Sequence, residues 1–371
     1  MKRQLGLCGF LGLLLPVHLS AATAAVEVEV GGEYHFSLVN TDDGLNTDAA
    51  KIKKTEFGVK AAKLALRGKL TDQITWNVLA QLDKSPALER YWLTNKLTDQ
   101  FDVSVGVQKI RTYGWHRKLT SSLTPVKGAY LAYNPYPDVM AVDFAYKIAG
   151  QSVAFTLAKD YSDQTAPSGS GATATTGCTA SGAGCKSWNG RDVQKQPAFL
   201  LEWIGSFGEL QPLVQASSYD LGKSSIVSAG LRYKNEILDS YIDYTLDTRV
   251  KKGLDPVTGD AREEKNKIGG LAVYGEFKAG ALSPYLMFTT LDVADYTAEG
   301  AKEPKVNSSA TKLDDNEQTI ALGTYFENWG ALYRPYVGIA SVKGKYVKDA
   351  TAGTEEDRTR LDLMAGLTGK F

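Results

Sequence analysis

The sequence predicts an all-β chain, a transmembrane antiparallel β-barrel of about 16 strands with long external loops and short periplasmic turns. Three observations predict it. Apolar and polar residues alternate in short runs along the chain, short connections alternate with mostly long polar ones, and the last run, Arg358 to Phe371, has nothing after it to cover its apolar side. In that run Leu361, Leu363, Ala365, Leu367, Gly369 and Phe371 fall on one face, and Arg360, Asp362, Met364, Gly366, Thr368 and Lys370 on the other. Successive strand side chains point to opposite sides, so the run divides a greasy environment from a wet one. Lipid outside and water inside is the condition of a strand in a membrane barrel.

The N-terminus reads as a secretory signal peptide, residues 1–24: a basic start at Lys2 and Arg3, an apolar run from Leu5 to Leu15, and small residues from Ser20 to Ala25. The run is too short to span a bilayer, which takes about 20 apolar residues. Cys8 lies inside it and reads as a buried signal residue. Residues 25–371 then form the barrel. No later run is long enough for a membrane helix, and mean hydropathy is −0.23. Alternating strands average to near neutrality, so a barrel is expected to look this way. The 36 Gly, 19 Tyr, 12 Phe and 6 Trp suit a sheet with tight turns and two aromatic girdles. With 42 basic and 42 acidic residues the net charge is zero, so the chain has no footprint for nucleic acid.

The first strand carries Val26, Val28, Val30, Tyr34, Phe36 and Leu38 against Glu27, Glu29, Glu33, His35 and Ser37. The second sets Leu64, Leu66 and Leu70 against Lys63, Ala65, Arg67 and Lys69. The polar turn Leu70-Thr-Asp-Gln73 leads into Ile74 to Leu82, and the same wording, Leu97-Thr-Asp-Gln100, separates strands at 88–96 and 101–110. Further strands are expected near 138–148, 152–161, 196–205, 209–219, 225–235, 237–249, 267–278, 282–293, 317–327, 331–343 and 358–371. Short turns fall near 71, 98, 150, 207, 236, 280 and 329. Seven turns and eight loops separate sixteen strands and leave both termini on one side. Gly128 to Asn134 could add a strand, but that would move the long 162–195 loop to the short-turn side. A sandwich requires no such alternation of connections. A sixteen-stranded barrel encloses an aqueous channel.

Two cysteines remain after the signal peptide, Cys178 and Cys185, in a stretch rich in Gly, Ala, Ser and Thr. Export makes a local disulfide the first reading, stabilising the loop by about 2–3 kcal/mol on the chain-entropy estimate. A metal pair is the alternative, and no His or third Cys lies nearby to support it. No metal or other cofactor is expected.

The final alternating strand that closes on Phe371 resembles the closing and targeting strand of Gram-negative outer-membrane barrels, and of the porins in particular. That resemblance implies an outer-membrane location, contact with outer-membrane lipid, and recognition by the barrel-assembly machinery through the C-terminal strand. It also implies a homotrimer packed near the termini, around Val26, Val28, Val30, Leu361 and Leu363. In sixteen-stranded porins, which the chain resembles across its mature length, the third loop folds inward and narrows the pore. Here that constriction loop is 111–137 and carries Arg111, His116, Arg117, Lys118 and Lys127, with Asp138 at its end. The acidic third loop and Pro-Glu-Phe-Gly-Gly motif of the enterobacterial porins are absent. A local similarity to the phosphate-selective porins of the O/P type runs through Lys63-Leu-Ala-Leu-Arg-Gly-Lys-Leu70, Arg90-Tyr-Trp-Leu93 and Val105-Gly-Val-Gln-Lys109.

Charge on the wet faces gives an independent reading. Lys63, Arg67, Lys69, Arg90 and Lys96 line strands two to four, whereas Asp239, Asp243 and Asp247 line the eleventh. Cationic arrays in a narrow pore favour anions. The constriction and selectivity residues are therefore expected to be Lys63, Arg67, Arg90, Arg111, Arg117 and Lys118, with Asp239 and Asp243 opposite. The plain alternative is that these are solvated lumen residues without a selective role.

An enzyme is not expected. His35 and His116 are the only histidines after the signal peptide, and neither lies in a catalytic motif. The function expected is an outer-membrane porin, a passive diffusion channel for small hydrophilic solutes and ions, leaning toward anions. The alternatives are an adhesin or structural barrel acting through its external loops, and a substrate-specific channel, for example for phosphate.

Overall fold

In a computed structural model of the chain, which describes residues 28–43, 52–82, 88–108, 114–119, 139–159, 197–219, 224–254, 261–297, 314–328, 333–349 and 354–370, sixteen antiparallel strands close into one barrel. In chain order they are β1 (Val28–Asp43), β2 (Ile52–Lys69), β3 (Ile74–Gln81), β4 (Leu88–Lys96), β5 (Phe101–Gln108), β6 (Val139–Ile148), β7 (Gln151–Lys159) and β8 (Pro197–Ile204). Then follow β9 (Leu210–Tyr219), β10 (Ser224–Lys234), β11 (Leu238–Leu254), β12 (Ala261–Phe277), β13 (Leu282–Thr297), β14 (Asp314–Phe326), β15 (Arg334–Asp349) and β16 (Thr354–Lys370). Each strand pairs with its sequence neighbours, and β1 pairs with β16 to close the circle. Among the described residues one short helix, α1 (Gly114–Leu119), lies between β5 and β6.

Alternation dictates the placement. Leu201, Leu286, Leu322 and Leu363 are 50–55 % exposed, while neighbours of opposite parity, Glu202, Tyr285, Ala321 and Asp362, are buried or nearly so. The apolar residues form an outer belt, and the polar ones face the lumen. This is the inverse of a soluble protein and suits a wall between lipid and water. Among the described residues no helix is long and apolar enough to cross a membrane.

The short turns follow from their residues. In Leu70-Thr-Asp-Gln73 the Thr71 hydroxyl accepts hydrogen bonds from the Gln73 and Ile74 amides at 3.2 and 3.0 Å. Thr98 repeats this with Gln100 and Phe101 at the same distances. Threonine at this position gives the backbone a local partner and fixes both turns alike. Gly208 and Gly280 turn the chain at φ +62° and +63°, where a side chain would strain.

Strand count, turn positions and face assignment agree with the alternation. Several strands run further outward than it indicates: β11 reaches Leu254, β12 begins at Ala261 and β16 at Thr354. The backbone ladder continues there, through runs such as Glu263-Glu-Lys265 and Glu355-Glu-Asp357 in which apolar and polar residues do not alternate, so periodicity no longer marks the strand. The aromatic residues divide between the outer surface, where girdles were expected, and the lumen. Phe155 and Phe199 do face outward, 40 % and 42 % exposed, yet Tyr241, Tyr285, Tyr325 and Tyr336 are buried on the lumen side. The signal peptide, Arg111, Lys127, the run from Gly128 to Asn134, Cys178, Cys185 and Phe371 lie outside the described residues.

Candidate functional site

Helix α1 lies inside the barrel against the inner faces of β9 to β12. Six residues are too few for a helix to hold itself together, and its first amides have no partners within it. The wall supplies them. The Gly114 amide donates to Gln215 Oε1 at 2.8 Å, and the His116 amide to Asp243 Oδ2 at 2.5 Å. Asp243 therefore caps the helix from another element 127 residues away. Its carboxylate also favours the positive end of the peptide dipoles.

Side chains complete the attachment. His116 Nδ1 lies 2.8 Å from the Tyr241 hydroxyl, and Trp115 Nε1 donates to the Gln211 carbonyl at 3.0 Å. Lys118 Nζ is 2.6 Å from Glu202 Oε2, which also accepts from Gln215 Nε2 at 2.5 Å. The Arg232 guanidinium stands 5.5 Å over the Trp115 ring. Gly230 leaves the space: a Cβ there would approach Trp115 Cδ1 to 3.0 Å and Asp243 Cβ to 2.7 Å. A polar helix meets a polar, partly acidic wall, and His116 ends fully buried.

From His116 an arc of aromatic rings runs around the inner wall. Successive centroids are 5.9 Å apart for His116 and Tyr241, 5.2 Å for Tyr241 and Tyr274, and 6.3 Å for Tyr274 and Tyr285. They continue at 5.3 Å to Tyr325, 6.2 Å to Tyr336 and 5.5 Å to His35, where Nε2 meets the Tyr336 hydroxyl at 2.7 Å. Arg334 lies 3.7 Å over the Tyr325 ring and pairs with Glu276 at 2.7 Å and with Glu327. Glu327 follows β14 in the turn; burial alone would push its carboxyl up, and hydrogen bonds from Arg334 and Ser283 together with the charges of Arg334 and Lys278 outweigh this, leaving it below its ordinary value.

The wall from β1 to β5 is charged. Lys63 pairs with Glu33 at 3.7 Å and Glu89 at 3.2 Å, and Arg90 with Glu89 at 2.9 Å. The wall expected to be basic is thus interleaved with acids, because Glu89 is the extra residue of a bulge between β3 and β4 and turns into the lumen. On the opposite wall Asp239 takes both Arg232 nitrogens, at 2.8 and 2.6 Å.

Of the residues predicted to set constriction and selectivity, the structure gathers Arg117, Lys118 and Asp243 at α1. It engages Lys63, Arg90 and Asp239 in ion pairs and leaves Arg67 exposed, with no ion pair among the described residues. Sequence reasoning missed Glu202, Gln215 and the inward tyrosines. Parity was the available signal: Tyr241 and Asp243 share a face, as do Glu202 and the buried Leu200.

No protein-family model and no curated protein sequence matches the chain. Solved structures do. The chain resembles the outer membrane channel DcaP of Acinetobacter baumannii at a TM-score of 0.58 and 14 % identity, over 94 % of this chain and 99 % of that one. It resembles the anion-selective porin from Comamonas acidovorans at 0.57 and 14 %, over 93 % and 100 %, and the trimer form of OmpT, an outer membrane protein of Vibrio cholerae, at 0.57 and 13 %, over 94 % and 100 %. The chain has the sixteen-stranded barrel fold of Gram-negative outer-membrane porins.

Proposed function

We propose that the protein is a porin, a passive diffusion channel through which small hydrophilic solutes and ions cross the outer membrane. The observation that carries this reading is the pairing of a closed sixteen-stranded wall, wide enough for water, with a helix from the third loop held against its inner face. A barrel with its loop pinned inside has a narrowed waist. Transport then needs only a wet path and a field.

Selectivity is proposed to lean toward anions. Arg67 supports this most directly, since its exposed guanidinium is not cancelled by an ion pair among the described residues. Lys63, Arg90 and Lys118 are partly neutralised by Glu33, Glu89 and Glu202, so the lean is modest. A homotrimer is proposed as well. Val28, Val30 and Leu363 present 50–60 % exposed apolar surface beside the β1/β16 seam, suited to a neighbour as much as to lipid.

The test is single-channel recording of the refolded protein in a planar bilayer under a salt gradient. Current steps in groups of three with a reversal potential shifted toward anions are expected. Folded protein that gives no steps would move the reading to an adhesin or structural barrel.

A further inference from the structure

One cross-strand row of the lumen differs from the rows beside it. Register places Glu29, Arg67, Asn77, Trp92 and Gly106 next to one another across β1 to β5, all with the water-facing parity of Glu33 and Lys63. Neighbouring rows satisfy themselves: Lys63 and Arg90 are ion-paired, and Thr94 lies 2.8 Å from Ser104. In this row, among the described residues, Arg67 enters no ion pair, and neither the Asn77 amide nor the Trp92 indole N–H has a hydrogen-bond partner. Arg67 and Glu29 are exposed, Asn77 and Trp92 half-buried, and Gly106 adds no side chain beyond the indole.

Three adjacent donors facing the lumen suit a visiting ligand better than a solvated wall, which has no need of an indole. We propose that this row is a binding site for an aromatic monocarboxylate in transit, an inference that rests on the channel reading. The Arg67 guanidinium offers a planar fork that matches a carboxylate with two hydrogen bonds. Trp92 offers a ring face for offset stacking, and Asn77 a further donor between them. Neighbouring strands lie about 4.8 Å apart, so roughly 10 Å of backbone separates the fork from the indole. The length of the arginine side chain leaves room in that span for one ring bearing its carboxylate. Glu29, at the far side of Arg67, repels a second negative charge and so disfavours dianions.

The experiment is equilibrium dialysis of labelled benzoate against the refolded barrel in detergent, with a micelle-only blank and labelled acetate as the ringless control. Benzoate is expected to bind saturably and acetate at least about tenfold more weakly, by the worth of one stacked ring. R67A and W92A should each weaken benzoate roughly tenfold, W92F should keep most of the affinity, and E29Q should tighten it by a few-fold. The row is excluded if W92A binds benzoate as the unaltered protein does, or if acetate binds equally well. Failure to fold in W92A would be seen in W92F only if the position were structural, so W92F binding decides that case. Current steps without ring-dependent binding would sink the row and keep the channel; ring-dependent binding without steps would sink the channel, and with it the role of the row in transit, and leave a binding site alone.

Discussion

His35 on β1 and Tyr336 on β15 meet through a hydrogen bond of 2.7 Å that reaches across the intervening β16, and both side chains are buried. The contact straps the seam at which the barrel closes. The Tyr336 hydroxyl reaches it by lying over Gly366 of β16, where a Cβ would collide with that hydroxyl and with the Phe36 carbonyl.

Removing that hydroxyl in Y336F should therefore lower unfolding free energy by about 1–2 kcal/mol, the cost of a lost buried hydrogen bond. G366A should lower it by about 1–3 kcal/mol through overpacking, since backbone on one side cannot give way. Denaturant unfolding of the barrel in lipid vesicles measures both. Wild-type stability in G366A would show that β16 can shift, contrary to this account.

At the loop helix, D243A deletes the acceptor for the His116 amide, a charge-assisted bond worth about 1.5–3 kcal/mol. The barrel should still fold, because its ladders are untouched, but α1 should leave the wall. Larger single-channel conductance with added open-channel noise is the expected result. An unaltered current trace would mean that Glu202, Gln215 and Tyr241 hold the helix without Asp243.

Charge reversal separates paired from unpaired cations. R67E should shift the reversal potential in a potassium chloride gradient clearly toward cations, and K63E by less, because Lys63 already shares its field with Glu33 and Glu89. Equal shifts would mean that the ion pairs do not matter to permeating ions.

The turn after β14 gives a pH dependence with a definite sign. Against the opposing effect of burial, Arg334, Ser283 and Lys278 together hold Glu327 below its ordinary value of 4.5, so its contribution is fully present above that pH and is lost as pH falls through the folded value. E327Q should flatten the acid limb of the stability curve and leave the neutral limb offset by a constant. An acid limb of unchanged slope in E327Q would assign it to other carboxylates.

The wall was legible in the sequence because its physics is local. A two-residue period states which side of Leu361, Asp362 and Leu363 faces lipid, and the repeated Leu-Thr-Asp-Gln turns state where strands reverse. The lumen was less legible because its partners are distant in the chain. Nothing near Lys63 announces Glu89, which enters only through a bulge, and nothing near His116 announces Asp243. Basic residues counted along strands two to four did not announce that Lys63 and Arg90 are ion-paired with Glu33 and Glu89. Arg67 kept its predicted place on the wet face, for it faces Glu29 in register without bonding to it.

The helix also carries a timetable. Its hydrogen-bond partners, Gln211, Gln215, Tyr241 and Asp243, come 96 to 127 residues later in the chain. Those partners lie on β9 and β11, so α1 has no wall to dock against until these strands have paired, whatever the order in which the barrel is assembled. The narrow state is then reserved for a finished barrel, and a chain arrested before β11 has nothing against which to set its waist.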